Sequence, residues 1–466
     1  VNARAGTLVL IALGAFVTTL DNTIVAAGAP SIARDLALGL GALQWVALGY
    51  MLPFAGLLLV AGALVDRWGR RRTLPAALFA FGAGAAVGGL AGSVGLLVAA
   101  RAVQGAAAAF LVPALLSLLR TNLDARGRTL GAAVWTACLA AALALGPALG
   151  GMLSASLGWG WIFFVNLPFV AAMLALLPVA TRAGETAAAT RAPPLGAMAA
   201  VTACLVLLTA ALVRPWPGSE LPSLAAAAVL GAGFALRERR AADRLVPAAL
   251  TGNAVFLGAL VVQLLWGLGI SGVFFFTPLL HQEFLGLGPV GAGLPLVLVA
   301  VAVMAATPLV APSVTHFGPH RTVAGGLAVV GAGLLALAAV NHIPELLPRV
   351  PGMVLIGAGS AFTVPLTSHA LDVVAERNSG AASGLLTASR ELSSALGVAL
   401  IGAVLTAVRG LRLDAGTAPG AALAGGYTAG LLTAAGLTLA GALLAVRVLR
   451  ERRPVSSSPH DKRAVP

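Results

Sequence analysis

Long apolar runs recur along the whole of this 466-residue chain. Each is near the roughly 20 residues that an α-helix needs to cross a bilayer. In lipid a backbone must satisfy its own N–H and C=O groups, so such runs are read as helices. The short alternating segments of a β-barrel are not the pattern here. Only 10% of residues are charged and the mean hydropathy is +0.97, whereas a soluble domain carries roughly 25% charged residues. The expected fold is an all-α polytopic membrane protein.

Fourteen spans are expected, at about 6–28, 44–65, 73–92, 94–119, 129–155, 161–180, 195–213, 221–236, 253–280, 289–312, 321–340, 350–371, 381–408 and 426–449. The first contains no cleavable-signal pattern and is read as a true span. The polar tail, 450–466, is expected to be disordered. The net charge of +13 could suggest nucleic acid, but its placement argues for membrane topology. With a cytoplasmic N-terminus, 22 of the 29 Lys and Arg residues fall on the cytoplasmic side and five, among them Arg34 and Arg349, in outer loops. Two, Arg101 and Arg390, lie within spans. This is the positive-inside bias of a chain with both ends in the cytoplasm.

An internal repeat divides the chain. Gly105, Phe110 and Pro113 recur with the same spacing as Gly357, Phe362 and Pro365. Each copy lies in the fourth span of a six-span block. The expected organisation is a six-helix bundle over 1–180, a two-helix insertion over 181–250, a second six-helix bundle over 251–449 and the tail. Repeated halves with a site between them are a common transporter plan.

The loop after the second span reads Gly62-Ala63-Leu64-Val65-Asp66-Arg67-Trp68-Gly69-Arg70-Arg71-Arg72. Its glycines permit a tight turn. Asp66 can cap the next helix or pair with a guanidinium across the two halves, holding one conformation and releasing another. This run closely resembles the signature loop of the major facilitator superfamily. The second half carries a degraded copy, Ala311 to Arg321, without the acid. Leu20-Asp21-Asn22-Thr23-Ile24-Val25 is similar to the first-helix signature of the fourteen-helix drug:H+ antiporters in that superfamily. Arg101-Ala102-Val103-Gln104-Gly105 resembles its fourth-helix motif. Gly146-Pro147-Ala148-Leu149-Gly150-Gly151 resembles the fifth-helix motif of exporters, and Trp161 to Pro168 also looks like this family. The likeness departs at Ala26 and Ala142, and the acid often found before the first inserted helix is absent from Arg191 to Gly196. The resemblance implies export of drugs or secondary metabolites driven by the proton gradient.

Few charges interrupt the spans. Asp21 stands alone in the run from Gly6 to Gly28, where a carboxylate costs at least ~2.5 kcal/mol and faces a cavity or a partner. An acid whose surroundings change as access alternates can load a proton on one side and shed it on the other. Arg101 stays charged, so its expected role is to tune a nearby acid, with Gln104 one turn away on the same face. Glu391 is the second intramembrane acid; Arg390 precedes it, but neighbours on a helix point about 100° apart and need not neutralise each other. Glu391 is therefore expected either to couple or bind, or to form a structural pair. Gln263 and Trp266 are candidates for lining the pocket. Glu283 and Asp372 lie near span ends, where solvation is cheap.

Other classes find little support. Cys138 and Cys204 sit singly in apolar runs, and the six histidines, at 281, 316, 320, 342, 369 and 460, form no ligand cluster. His369 is left as a minor candidate for proton handling. No phosphate-binding loop is present, so the driving force is expected to be the proton motive force, with no cofactor. The expected partners are a small-molecule substrate, H+ and the lipid bilayer, with no nucleic acid, and the protein is expected to be monomeric. A single lysine among many arginines suggests a GC-rich bacterial genome, and hence the bacterial inner membrane. An amino-acid or other metabolite exporter of the same fold is the alternative within transport. A membrane-embedded enzyme or sensor is the alternative outside it.

Overall fold

Alanine and leucine dominate the apolar runs, and both are strong helix formers. The computed structural model describes residues 3–180, 195–213, 220–241, 248–375 and 379–449, and its regular elements are all helical. The first group is α1 (Ala3–Asp35), α2 (Leu40–Trp68), α3 (Arg70–Gly89), α4 (Val94–Asn122), α5 (Ala125–Ser156), α6 (Trp161–Phe164) and α7 (Asn166–Ala180). Next come α8 (Leu195–Val213), α9 (Glu220–Arg240) and the short α10 (Ala248–Thr251). The second group is α11 (Ala254–Glu283), α12 (Pro289–Ala306), α13 (Val310–Phe317), α14 (Pro319–Val340), α15 (Val350–Ala361), α16 (Pro365–Asp372), α17 (Ser379–Asp414) and α18 (Pro419–Val448). The tail and the basic residues Arg182, Arg191, Arg214, Arg244 and Arg377 lie outside the described residues.

All fourteen expected positions carry helix, but not all pass as spans. Among the described residues, twelve helical segments are long and apolar enough to cross a membrane. The two others are α3, which opens on three arginines and is rich in glycine, and α8, whose apolar stretch is only Ala199–Val213. Three expected spans are interrupted near proline, which removes a backbone donor and clashes with the preceding turn. One break precedes Asn166-Leu167-Pro168, one is a 3-10 turn at Thr307–Leu309, and one precedes Pro365. Helix starts are capped where the sequence supplies an acceptor. Asp124 accepts from the Gly127 N–H at 2.8 Å, and Asn253 from those of Val255 and Phe256 at 3.0 and 3.1 Å.

The repeat in sequence is a repeat in space. Gly105 presses α4 against the Tyr50 carbonyl of α2, and Gly357 presses α15 against the Val299 carbonyl of α12; neither leaves room for a Cβ. The loops after α2 and α13 turn identically, on Gly69 and Gly318, both at φ +79°. Their N–H groups donate to Val65 O and Val314 O, each at 2.9 Å.

Helices α1 to α7 pack chiefly on one another, as do α11 to α18, and the two groups meet along α1–α11, α2–α17 and α5–α12. The close meetings lie away from the arginine-rich loop at 67–72. Gly151 abuts the Pro289 carbonyl, Gly402 abuts the Gln44 amide, and Arg34 donates to Gln282 Oε1 at 3.3 Å. The apolar core follows the same division. One cluster runs through the first bundle and into the far end of the second, including Ile270, Phe276, Val398 and Leu405. The arginine-loop end of the second bundle has its own separate core, with Phe256, Val262, Leu366 and Leu386. The seam is therefore packed at the far face and parted at the arginine-loop face. The helix α8 lies against both α2 and α17, alongside that seam.

Candidate functional site

Asp21 is wholly buried on α1 and is met from two helices of its own bundle. Arg101 Nη1 on α4 forms an ion pair with Asp21 Oδ2. Gln104 Nε2, one turn along the same helix, donates to Oδ1 at 3.0 Å, and Asn166 Nδ2, at the start of α7, donates to the same oxygen at 2.8 Å. Arg101 is itself fully buried and held in place. Its Nη1 donates to Gln104 Oε1 at 3.1 Å and its Nε to Val46 O at 3.2 Å. Its Cζ stands 4.5 Å from the centre of the Tyr50 ring. A charge-assisted pair with two further amide donors meets the hydrogen-bonding capacity of a carboxylate in an apolar interior. Two polar atoms of the cluster, Arg101 Nη2 and Asn166 Oδ1, are buried without a partner.

The adjacent residues on α1 face elsewhere. Asn22 and Thr23 line a cavity of about 190 Å³ on the seam between the bundles, together with Met51, Phe274, Ser271 and Ser394 among others. The Ser271 and Ser394 hydroxyls, from α11 and α17, bond to each other at 2.7 Å. No charged side chain is among the lining residues. Helical geometry explains the split: a step of about 100° per residue turns Asp21 into its bundle and its neighbours toward the seam.

The fifth-helix residues shape one wall of this cavity. Gly146 has no space for a Cβ because Thr23 Oγ1 occupies it, and Gly150 would bring one to 2.5 Å from Ile24 O. Gly151 meets α12 in the same way, and Pro147 lines the cavity itself. Four small positions thus let α5 touch α1 on one side and the second bundle on the other.

The loop residues fall into two sets. Arg70 donates to Ser117 O at 3.2 Å and to Thr121 Oγ1, tying the loop to the end of α4. Asp66 and Arg67 are exposed, Gly62 is half-buried and Gly69 makes the turn. The expected pair between Asp66 and a guanidinium of the other half is not formed among the described residues. Among the described residues the seam is parted on that face.

Several expectations need correction. Gln263 is buried and Trp266 half-buried, but neither lines the cavity; they lie nearer the arginine-loop end of α11. Glu391 does pair with Arg390, whose Nη2 and Nε reach Oε1 at 3.1 and 3.3 Å. Both side chains are long enough to curl across the angle that separates adjacent helical positions. Arg349, expected in an outer loop, lies in the connection between α14 and α15 and is buried there. It donates to Asn341 Oδ1 and to the carbonyls of Asn341, Ile343 and Glu345. His369 contacts Leu449 O at 3.0 Å, which binds α16 to the end of α18. Asn166 was visible in sequence within a family-like motif, but no role was assigned to it. Its position 145 residues from Asp21 gives no local signal of contact.

Two repeated helical bundles, a cavity on the seam between them and an ion pair buried beside it define a membrane transporter for small molecules. The sequence profile of the Major Facilitator Superfamily matches residues 11–398, and the chain belongs to that superfamily. It is 31% identical over 412 residues to the tetracenomycin C resistance and export protein of Streptomyces glaucescens, covering 86% of this chain and 75% of that one. It is 33% identical over 444 residues to the puromycin resistance protein of Streptomyces alboniger, covering 90% and 86%. Its fold is similar to that of a crystallised POT peptide transporter, with a TM-score of 0.72 over 95% of this chain and 94% of that one. At 15% identity, that likeness concerns the fold alone.

Proposed function

We propose that the protein is a proton-coupled exporter of small amphipathic drugs, antibiotics or secondary metabolites. In this reading it works by alternating access in the bacterial cytoplasmic membrane, as a monomer. Residues 1–180 and 251–449 are the rocking halves, 181–250 is the insertion, and all fourteen helical positions cross the bilayer with both ends inside. The placement of arginines supports this topology. It makes the parted face of the seam the cytoplasmic one, so the arrangement described is open to the inside.

The observation that carries the reading is the carboxylate of Asp21, held by Arg101, Gln104 and Asn166 and buried one residue from the cavity wall. When the halves rock and the outer path opens, a proton reaching Asp21 cancels its charge and releases Arg101 from its partner. Arg101 and Tyr50 then adjust against α2, which carries Met51 on the cavity wall. Return to the inward-open form restores the three donors around Asp21 and expels the proton. Resistance to and export of antibiotics by its relatives support the substrate class. The test is flux of a drug panel by the purified protein in liposomes, with and without a protonophore. Flux that persists unchanged once the pH and voltage gradients are dissipated would falsify the proton coupling.

A further inference from the structure

The chemistry of the cavity wall narrows the cargo, on the reading of the protein as an exporter. We infer that the cavity selects uncharged, flat apolar molecules bearing a few hydrogen-bonding oxygens, over cations of the same shape. Its lining offers aromatic and thioether surface from Phe274, Phe275 and Met51. Its polar groups are neutral: the amide of Asn22 and the hydroxyls of Thr23, Ser271 and Ser394. In the Ser271–Ser394 pair one hydroxyl hydrogen closes the bond at 2.7 Å. The other is left to donate to a carbonyl or hydroxyl of a guest.

No counter-charge awaits a cation. Asp21 points into its bundle, and its oxygens are held by Arg101, Gln104 and Asn166. Glu391 lies one turn from Ser394 toward the arginine-loop face, is absent from the lining, and has its charge met by Arg390. A cation entering such a site loses hydration without gaining a partner. Attraction to the phenylalanine faces strengthens for a desolvated cation but falls short of the cost of desolvating the ion. A consequence follows for energetics. Exchange of one proton for an uncharged molecule moves net charge across the membrane, whereas exchange for a monovalent cation moves none.

A matched pair of probes tests this: 9-anthracenemethanol and 9-anthracenylmethylammonium, which share a ring system and differ by a hydroxyl in place of a charged ammonium of similar size. Equilibrium dialysis against the full-length protein in lipid nanodiscs should show the alcohol binding at least about tenfold more tightly. Ser394→Asp should reverse that order by placing a carboxylate in the wall, while Glu391→Gln should leave it as it is. Equal or tighter binding of the ammonium compound to the unaltered protein overturns the inference. So does an alcohol preference that changes on Glu391→Gln, because Glu391 would then be facing the guest. In proteoliposomes a voltage negative at the arginine-loop face should speed alcohol export, and a voltage-independent rate also overturns it. Failure of either compound to respond to a pH gradient would count against proton coupling instead, and the binding order would still decide the cargo.

Discussion

Protonating Asp21 cancels the only counter-charge within ion-pair distance of Arg101 among the described residues. The two groups therefore act as a unit, and changes at each have different consequences. Asp21→Asn keeps the shape and most hydrogen bonds, so the variant should reach the membrane folded but lose proton-driven efflux. Wild-type flux across a pH gradient in that variant would defeat the assignment. Arg101→Ala strands a carboxylate in an apolar interior and should lower stability by about 3–5 kcal/mol. Thermal unfolding of the purified protein measures this, and adding Asp21→Asn should recover much of the loss. Asn166→Leu removes one of the two amide donors to Asp21 Oδ1, so proton-driven flux per molecule in proteoliposomes should fall below wild type. Asp21, Arg101 and Gln104 were legible in sequence because each is polar in an otherwise apolar run. Asn166 and Arg349 were not, because their partners are set by how helices and loops pack.

At the level of helices, α5 carries the sharpest constraint. Its glycines at 146 and 150 seat it on α1, and Gly151 seats it on α12, with the Thr23 hydroxyl and the Ile24 and Pro289 carbonyls standing where side chains would be. Gly151→Leu should force α5 and α12 apart at the far face and reduce transport at least about tenfold, with little change in the amount of folded protein. Comparison of flux per molecule with a Gly151→Ala variant, expected to fall between, checks this. The existence and order of the helices were legible because apolar runs of spanning length leave the backbone few alternatives. Their interruptions were less so: Pro113 stays inside a continuous α4, whereas its counterpart Pro365 opens a new helix after a turn. Identical residues at matching positions thus have different outcomes, set by the neighbours that pack on them. Gln263 and Trp266, candidates for lining the pocket or for packing between helices, lie off the described cavity for a related reason. Polarity in a span marks burial, but the direction of a side chain depends on the rotation of its helix.

Across the whole molecule, the two bundles share a backbone plan and differ in charge. The positions equivalent to Arg101 and Gln104 in the second half, by the offset of the glycine repeat, are Met353 and Ile356. The second bundle's intramembrane ion pair, Arg390–Glu391, is instead formed between neighbours on one helix. The proposed rocking requires both bundles, and the loop at 62–72 stands where they part. Asp66→Asn should slow turnover more than it weakens substrate binding, because the exposed acid gains a partner only as the arginine-loop face closes. An unchanged turnover rate, or a defect in binding alone, would argue against a gating role. The internal duplication was plain from sequence, but which face of the seam is packed was not, since both conformations use the same residues.

The one-residue step from Asp21 to Asn22 and Thr23 has a consequence for how such pumps diversify. On the proposed reading, fuel and freight are handled by different atoms, so a lineage can retool the wall at Asn22, Ser271 or Ser394 for a new toxin without disturbing the engine that drives its expulsion.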